Sequence, residues 1–376
     1  MKTVLHLERK FTSKTETFIV NQVNTIKNFN VIVATIKNTG NLECNKKILE
    51  PDRISFLSRS VKYLSRKTLI NLYDKLKDVK IDLIHTHFVV DAIYFRRFTK
   101  LFNVPKICSA YGYDVSSFPN YFLGLPKYFM KKIFMEYDFF LAMSEDMKQD
   151  FLDLGCPEEK IIVHYYGTDI RKFYKPRSKY QFNGKFKILS VGTIEEKKAQ
   201  HLVIEALNLI NQYFQNFEYH VVGSGDYLDL CMEKVIEFNL TDKVFFHGYI
   251  HYNDRRLIEF YNNSDIFILP SITTKENDKE GIPGTIVEAM ASGLPVISTY
   301  HAGIPSIIEN RKEGILVKEK DVQGLVAAIL ELVKNEHLRE NLGKNAQKRA
   351  MKELDLYKGT ERLEKIYEEV INSWRM

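Results

Sequence analysis

No stretch of this 376-residue chain approaches the roughly 18 apolar residues that read as a membrane span, and its opening, MKTVLHLERKF, lacks the apolar core of an export signal. The four cysteines, Cys44, Cys108, Cys156 and Cys231, are scattered with no C-x-x-C pair, which argues against a zinc ribbon or disulfide framework and for a reducing compartment. The expectation is a soluble, cytoplasmic chain whose contact with any membrane is peripheral. There is no P-loop and no complete G-x-G-x-x-G; Gly223-Ser224-Gly225 lacks the third glycine and reads as a turn before a helix. Tryptophan occurs once, yet Phe and Tyr lift the aromatic content to 12%. With 45% hydrophobic and 27% charged residues the composition is that of a globular protein, and the length exceeds what one core supports.

Acidic residues are scarce in the first half. Residues 1–182 carry 30 Lys+Arg against 19 Asp+Glu, a net +11, whereas residues 183–376 carry 24 against 29, a net −5. A basic half beside an acidic one implies that the first meets an anionic membrane surface or a phosphorylated substrate; a solvated lysine face is the plainer reading.

Short apolar runs alternate with amphipathic ones along the whole chain. TVLHL, VIVATI, IDLIHTH, PKICSA and DFFLAMS read as strands, and residues 16–28, 61–77, 90–102, 120–136 and 145–154 as helices. Strands apolar throughout and separated by helices imply a parallel sheet covered on both faces. A polar, aromatic-studded stretch between His164 and Lys187 reads as a linker. The pattern then repeats: KILSVG, a helix from Lys198, EYHVVGSG, KVFFHG, DIFILP, PVIST and GILV, then helices over 321–334, 336–351 and 357–373. Two successive doubly wound α/β domains facing across a cleft are expected, split at 182/183, with ligands beyond the carboxyl ends of the strands.

KEGIPGTIVEAMASGLPVIST, residues 279–299, is the most informative segment. A helix starting near Gly284-Thr285 offers free N–H groups and a partial positive charge, suited to phosphate, and Lys198 can add a full charge. Glu280 and Glu288 would stand about 12 Å apart on a continuous helix. A glycosidase pair needs about 5–5.5 or 6.5–9.5 Å, so the two instead suit opposite ends of an elongated, hydroxyl-rich ligand with phosphate between. Against this, Thr285-Ile-Val-Glu288 is a capping box, so Glu288 can simply satisfy its own helix, and Glu280 can be one more charge on a solvated loop. His85 and His87 lie on one face of a strand end by period two; a metal pair is open to them, but no third ligand stands nearby in sequence, so cleft lining or acceptor contact is the favoured reading and no metal is assigned. FPNYFLGLPKYFMKKIFMEY, residues 118–137, suits either a helix dipping into an anionic membrane or a buried helix with a lysine rim.

The segment DIFILPSITTKENDKEGIPGTIVEAMASGLPVISTYHAGIPSIIE closely resembles the donor-binding region of glycosyltransferase family 4, retaining enzymes of the GT-B fold. TETFIVNQV, HTHF, GYDVS, AMSEDM and SVGTIEEKKA follow in that family's order, so the resemblance covers nearly the whole chain and points to the capsular, colanic-acid and exopolysaccharide branch. It implies that Glu280 meets donor-sugar hydroxyls, Glu288 the nucleotide ribose and Lys198 the diphosphate. Gly281, Ile282, Pro283, Gly284 and Thr285 would line sugar and diphosphate, with Gly192, Thr193, Gly223, Gly248 and Tyr249 around the nucleotide. Tyr111 would stand at the catalytic centre, and Thr15, Glu16, His87 and Asp114 on the acceptor side. The last helix would cross back onto the first domain. The implied substrates are a nucleotide-diphospho-sugar (UDP- before GDP-) and a lipid-linked glycan, with no cofactor and no nucleic acid partner. The absence of D-x-D argues against a metal-dependent sugar transferase of the other common fold.

Two departures stand out. Thr193 replaces the arginine common after the strand glycine, leaving Arg9 or Lys197 to compensate, and Tyr111-Gly112-Tyr113-Asp114 stands where many members have His-Gly. Tyr111 is a poor general base, which suits transfer in which the donor's phosphate oxygen takes the acceptor proton. A non-catalytic homologue that binds nucleotide-sugar or glycan is the alternative.

Overall fold

The computed structural model describes residues 1–13, 16–52, 66–177 and 184–374. The chain divides into two compact units, Met1–Gly167 with Leu356–Met376, and Thr168–Asp355. The linker stretch is therefore shared out: residues 168–177, expected with the first domain, belong to the second, because α6 (Ile170–Phe173) packs on the helix that follows Pro283.

In the first unit the order is β1 (Thr3–Phe11), α1 (Thr17–Thr25), β2 (Asn30–Asn38), β3 (Lys47–Leu49), α2 (Arg66–Asp74), β4 (Leu83–His87), α3 (Val89–Thr99), β5 (Lys106–Ser109), α4 (Leu125–Glu136), β6 (Phe139–Ala142), α5 (Glu145–Asp153) and β7 (Ile161–Val163). The strands pair in parallel as β3-β2-β1-β4-β5-β6-β7. Val4, Leu5 and Leu7 of β1 are fully buried on alternate faces, as a sheet covered on both sides requires. α14 (Leu356–Trp374) returns to this unit and buries Leu363, Tyr367, Val370 and Ile371 against Val4, Ile19, Val23 and Val31.

The second unit continues with β8 (Phe186–Val191), α7 (Gln200–Ile210), β9 (Phe217–Val222), α8 (Leu228–Glu237), β10 (Val244–Phe246), α9 (Arg255–Asn263), β11 (Ile266–Ile268), α10 (Gly284–Ala291), β12 (Val296–Thr299), α11 (Ile304–Ile307), β13 (Gly314–Val317), α12 (Val322–Lys334) and α13 (Glu336–Glu353). Its strand order is β10-β9-β8-β11-β12-β13, again parallel. Helix starts are set locally: Asp254, Asp321 and Asn335 accept from the N–H of Arg256, Gly324 and Leu338 and so cap α9, α12 and α13.

Both sheets reverse their winding once, between β1 and β4 in the first and between β8 and β11 in the second. Ligands of doubly wound sheets bind beyond the strand ends at such a point. In the second unit that is where the loop after Val191 and the long loop after Ile268 begin. Two local expectations differ from what forms. Lys198 ends a 3-10 turn, Glu196–Lys198, and α7 starts only at Gln200, because Ala199 takes a left-handed conformation (φ 54°). Residues 118–124 form a separate kinked turn before α4 rather than part of one helix.

Candidate functional site

The loop after β8 and the loop after β9 are bound to each other by their backbones. Gly192 N–H donates to Val222 O at 3.0 Å and Ile194 N–H to Ser224 O at 3.1 Å, and the loop after β9 is tied in turn to the one after β10 by Gly223 N–H donating to Gly248 O at 2.9 Å. A Cβ on Gly223 would sit 1.8 Å from Gly192 O, and Gly223 has φ 149°, so only glycine permits the approach. Thr193 Oγ1 donates to Glu195 at 2.9 Å and Gln200 holds the Thr193 carbonyl at 2.9 Å. This turn carries Lys197 and Lys198 toward the long loop of 270–283.

There Lys198 Nζ lies 2.7 Å from Glu280 Oε1, and both side chains are largely buried. Burial alone would raise the Glu280 carboxyl, but Lys198 and Lys197 outweigh it and hold it below the ordinary value. Lys197 pairs with Asp278 at 2.9 Å; burial opposes its charge, yet Glu280 and Asp278 raise its pKa. The Glu280 backbone is anchored as well: its N–H donates to His301 Nε2 at 3.1 Å, and His301 Nδ1 donates to Glu319 Oε1 at 2.6 Å. Glu319 also accepts from the Thr273 N–H at 2.8 Å. His301 and Glu319 went unnoticed in the sequence; the available signal was a histidine just past the end of an apolar strand.

α10 begins at Gly284 after Pro283, and no side chain caps it. The capping box does not form. Thr285 Oγ1 is buried without a hydrogen-bond partner, and Glu288 turns instead to Tyr261, whose hydroxyl donates to Oε2 at 2.6 Å. Burial raises Glu288 to about 7, against the opposing pull of the Tyr261 hydrogen bond and of Lys172. Lys172 is held by Asn253 Oδ1 at 3.0 Å and stands over the Tyr252 ring. Gly281, Ile282 and Pro283 are buried, and Gly303 lets the loop close: a Cβ there would meet Gly281 O at 2.5 Å. Gly248 takes a left-handed φ of 66°, and Tyr249 beside it is exposed. The second unit thus assembles an uncapped helix start, a buried Lys–Glu pair and a neutralisable buried glutamate.

In the first unit the residues expected on the acceptor side are engaged by neighbours within the unit. The Asp114 carboxylate accepts from the N–H groups of Val89, Tyr111 and Gly112 at 2.9, 3.0 and 3.1 Å, so it holds the loop after β5 together; burial raises it to about 6 all the same. The Tyr111 hydroxyl bonds His87 Nδ1 at 2.6 Å, and its ring packs on Phe18 and Phe88. Glu16, just ahead of α1, is raised by burial and bonded to Glu8, which burial raises further. Arg9 is tied to the buried Asp91 through both its backbone N–H and its guanidinium. Thr15 lies outside the described residues. The sequence showed no third ligand near His85 and His87; the sheet supplies one, His6.

Residues 173–349 match the model described as glycosyl transferases group 1, and residues 23–172 that described as Glycosyltransferase Family 4. The amylovoran biosynthesis glycosyltransferase AmsK of Erwinia amylovora is 35% identical over 205 residues, 54% of this chain and 50% of that protein. The chain spans about half the length of the first curated relatives it matches. An Escherichia coli UDP-Gal:alpha-D-GlcNAc-diphosphoundecaprenol alpha-1,3-galactosyltransferase is 25% identical over 326 residues, 81% of this chain and 80% of that one. Anabaena Alr3699/HepE, solved in complex with UDP, superposes with a TM-score of 0.79 at 16% identity, covering 98% of this chain and 100% of that one. At that identity the likeness is one of fold.

Proposed function

We propose that this chain, whose residues 23–172 and 173–349 match the Family 4 and group 1 glycosyltransferase models, is a GT-B glycosyltransferase of the capsule and exopolysaccharide branch, and that it transfers a hexose from a nucleotide-diphospho-sugar, UDP- before GDP-, to a lipid-linked glycan with retention of configuration. The observation that carries this reading is the uncapped amino end of α10 beside the buried Lys198–Glu280 pair. Free backbone amides and a lysine suit a diphosphate, and a carboxylate kept ionised suits sugar hydroxyls.

In this reading the second unit binds the donor: diphosphate at the start of α10 and Lys198, sugar on Glu280, ribose on Glu288. The acceptor hydroxyl oxygen bonds the anomeric carbon on the face from which the diphosphate departs. The C–O bond to the diphosphate breaks, and a phosphate oxygen takes the hydroxyl proton. The engagement of Tyr111 with His87 supports that route, since its hydroxyl is committed elsewhere. Lys198, with Lys197 behind it, offsets the charge of the leaving diphosphate without a metal ion and stands in for the arginine that Thr193 replaces.

The first unit would take the acceptor at an anionic membrane surface. The UDP carried by the Anabaena structure and the diphosphoundecaprenol acceptor named for the Escherichia coli relative support these substrate classes.

The test is nucleotide release from a panel of UDP- and GDP-sugars, with undecaprenol-linked and free glycan acceptors, in EDTA. Turnover with one donor, reduced about 10²–10³-fold in Glu280→Gln, is expected. Tight donor binding with no release from any pair would instead make the chain a binding module.

A further inference from the structure

Three imidazoles meet inside the first unit, on the sheet face that α14 covers. His6 of β1 and His85 of β4 are register partners, and His87 follows two residues later, so the pleat turns all three to one side. All three are buried. Among the described residues they are the group whose potential ligand atoms converge, one from each ring, all within 4.8 Å of one another. His6 Nδ1 lies 2.9 Å from His87 Nε2. The other edges of the rings are held by hydroxyls: His87 Nδ1 by Tyr111 at 2.6 Å, His85 Nε2 by Ser109 at 2.8 Å, and His6 Nε2 by Tyr367 at 3.5 Å. Tyr367 also stands 2.5 Å from His85 Nδ1.

We infer that His6, His85 and His87 form a binding site for one late first-row divalent ion, zinc by its chemistry, which fastens α14 to the sheet through Tyr367. The ligands are His6 Nδ1, His87 Nε2 and His85 Nδ1, with the Tyr367 oxygen in the fourth position. Imidazole donors without a carboxylate suit zinc, copper or nickel and not magnesium or calcium. His87 and His85 then carry their protons on the outer nitrogens and donate them to Tyr111 and Ser109, the outer-shell anchoring that fixes metal-bound histidines, while the Tyr367 oxygen leaves its 3.5 Å contact with His6 Nε2 to join the ion. His6 and His87 exchange their mutual hydrogen bond for two bonds to the ion. Tyr367 ligates as the phenolate, so its hydroxyl proton is released when the ion binds. The ion has no part in sugar transfer, and the inference does not depend on the proposed activity.

A site this deep is loaded as the chain folds. The full-length protein, expressed in zinc-supplemented medium and purified without a metal-affinity step, is expected to carry close to one zinc per chain by mass spectrometry of the metal. Refolding with cobalt should give the visible bands of a tetrahedral ion, and metal-free refolding should lower Tm. His6→Asn and His85→Gln should lose both metal and bands. Wild-type protein without zinc and without cobalt bands would overturn the inference whether or not the variants fold. Zinc retained equally by well-folded variants would overturn it too.

Discussion

Glu288 shows how one buried side chain makes stability depend on pH. Its carboxyl is raised from 4.5 to about 7, so the folded protein holds a proton that the unfolded chain releases. The stability this contributes is fully present below about pH 4.5 and is lost as pH rises through about 7. With the ribose on Glu288 as proposed, donor binding has the opposite sign, because the carboxylate can accept from both ribose hydroxyls. UDP affinity should therefore rise as pH passes through about 7 while the Tm of the free protein falls, and calorimetry across that range measures both. Tyr261→Phe removes a hydrogen bond that lowers the Glu288 pKa, so it should move the affinity midpoint upward.

At this scale the sequence named individuals and missed pairings. Glu280 and Lys198 were each legible from motif and position, but their contact, 82 residues apart in sequence, was not. Asp114 was placed on the acceptor side only by the family resemblance, and three backbone N–H groups occupy its carboxylate.

Among the elements, the clearest surprise is the turn before α4. Phe122, Leu123 and Gly124 run consecutively in the left-handed region at φ 48°, 58° and 82°, a strained course for two bulky residues. It leaves Phe122 82% and Leu123 106% exposed, beside Leu125 and Tyr128 and the exposed Lys127 and Lys131. Meanwhile Met130, Ile133 and Phe134 of α4 face the core. The two readings of 118–137 thus divide between neighbouring parts: α4 is a core helix, and the turn offers an apolar tip with a lysine rim. Phe122→Ser with Leu123→Ser should weaken sedimentation with vesicles containing phosphatidylglycerol while leaving Tm unchanged. Added salt should weaken only the lysine share. The loops after β8 and β9 make a second prediction. Gly223→Ala places its methyl group against Gly192 O, so a loss of about 1–3 kcal/mol is expected, read as a Tm several degrees lower, together with weakened nucleotide binding.

For the whole molecule, the chain begins and ends in the same unit. Lys2 bonds Asn372 at 3.0 Å, and Glu364 accepts from the N–H groups of Lys27 and Asn28 at 2.7 and 2.8 Å. Leu363 and Tyr367 lie within the first unit's core. Leu363→Ala should cost about 2–5 kcal/mol, and removing residues after Asp355 should leave the first unit protease-sensitive. Limited proteolysis with mapped cleavage sites distinguishes this from damage to the second unit.

The sequence by itself determined the two parallel sheets and the bounds of the last three helices to within two residues, while the return of the final helix was implied by the family resemblance. Apolar strand runs and helical stripes are local patterns, and each has few ways to be buried. The turn entering α10 was legible too, because a glycine-rich turn leading into an apolar helix is contiguous in the chain. Only the tertiary structure decided which polar groups are spent on one another: Lys198 on Glu280, Tyr261 on Glu288, Tyr111 on His87, and His6 beside His85. A parallel sheet sets side by side residues that are remote in sequence. Burial then makes hydrogen bonds between them obligatory, since an unpaired polar group away from water costs more than almost any local preference can return.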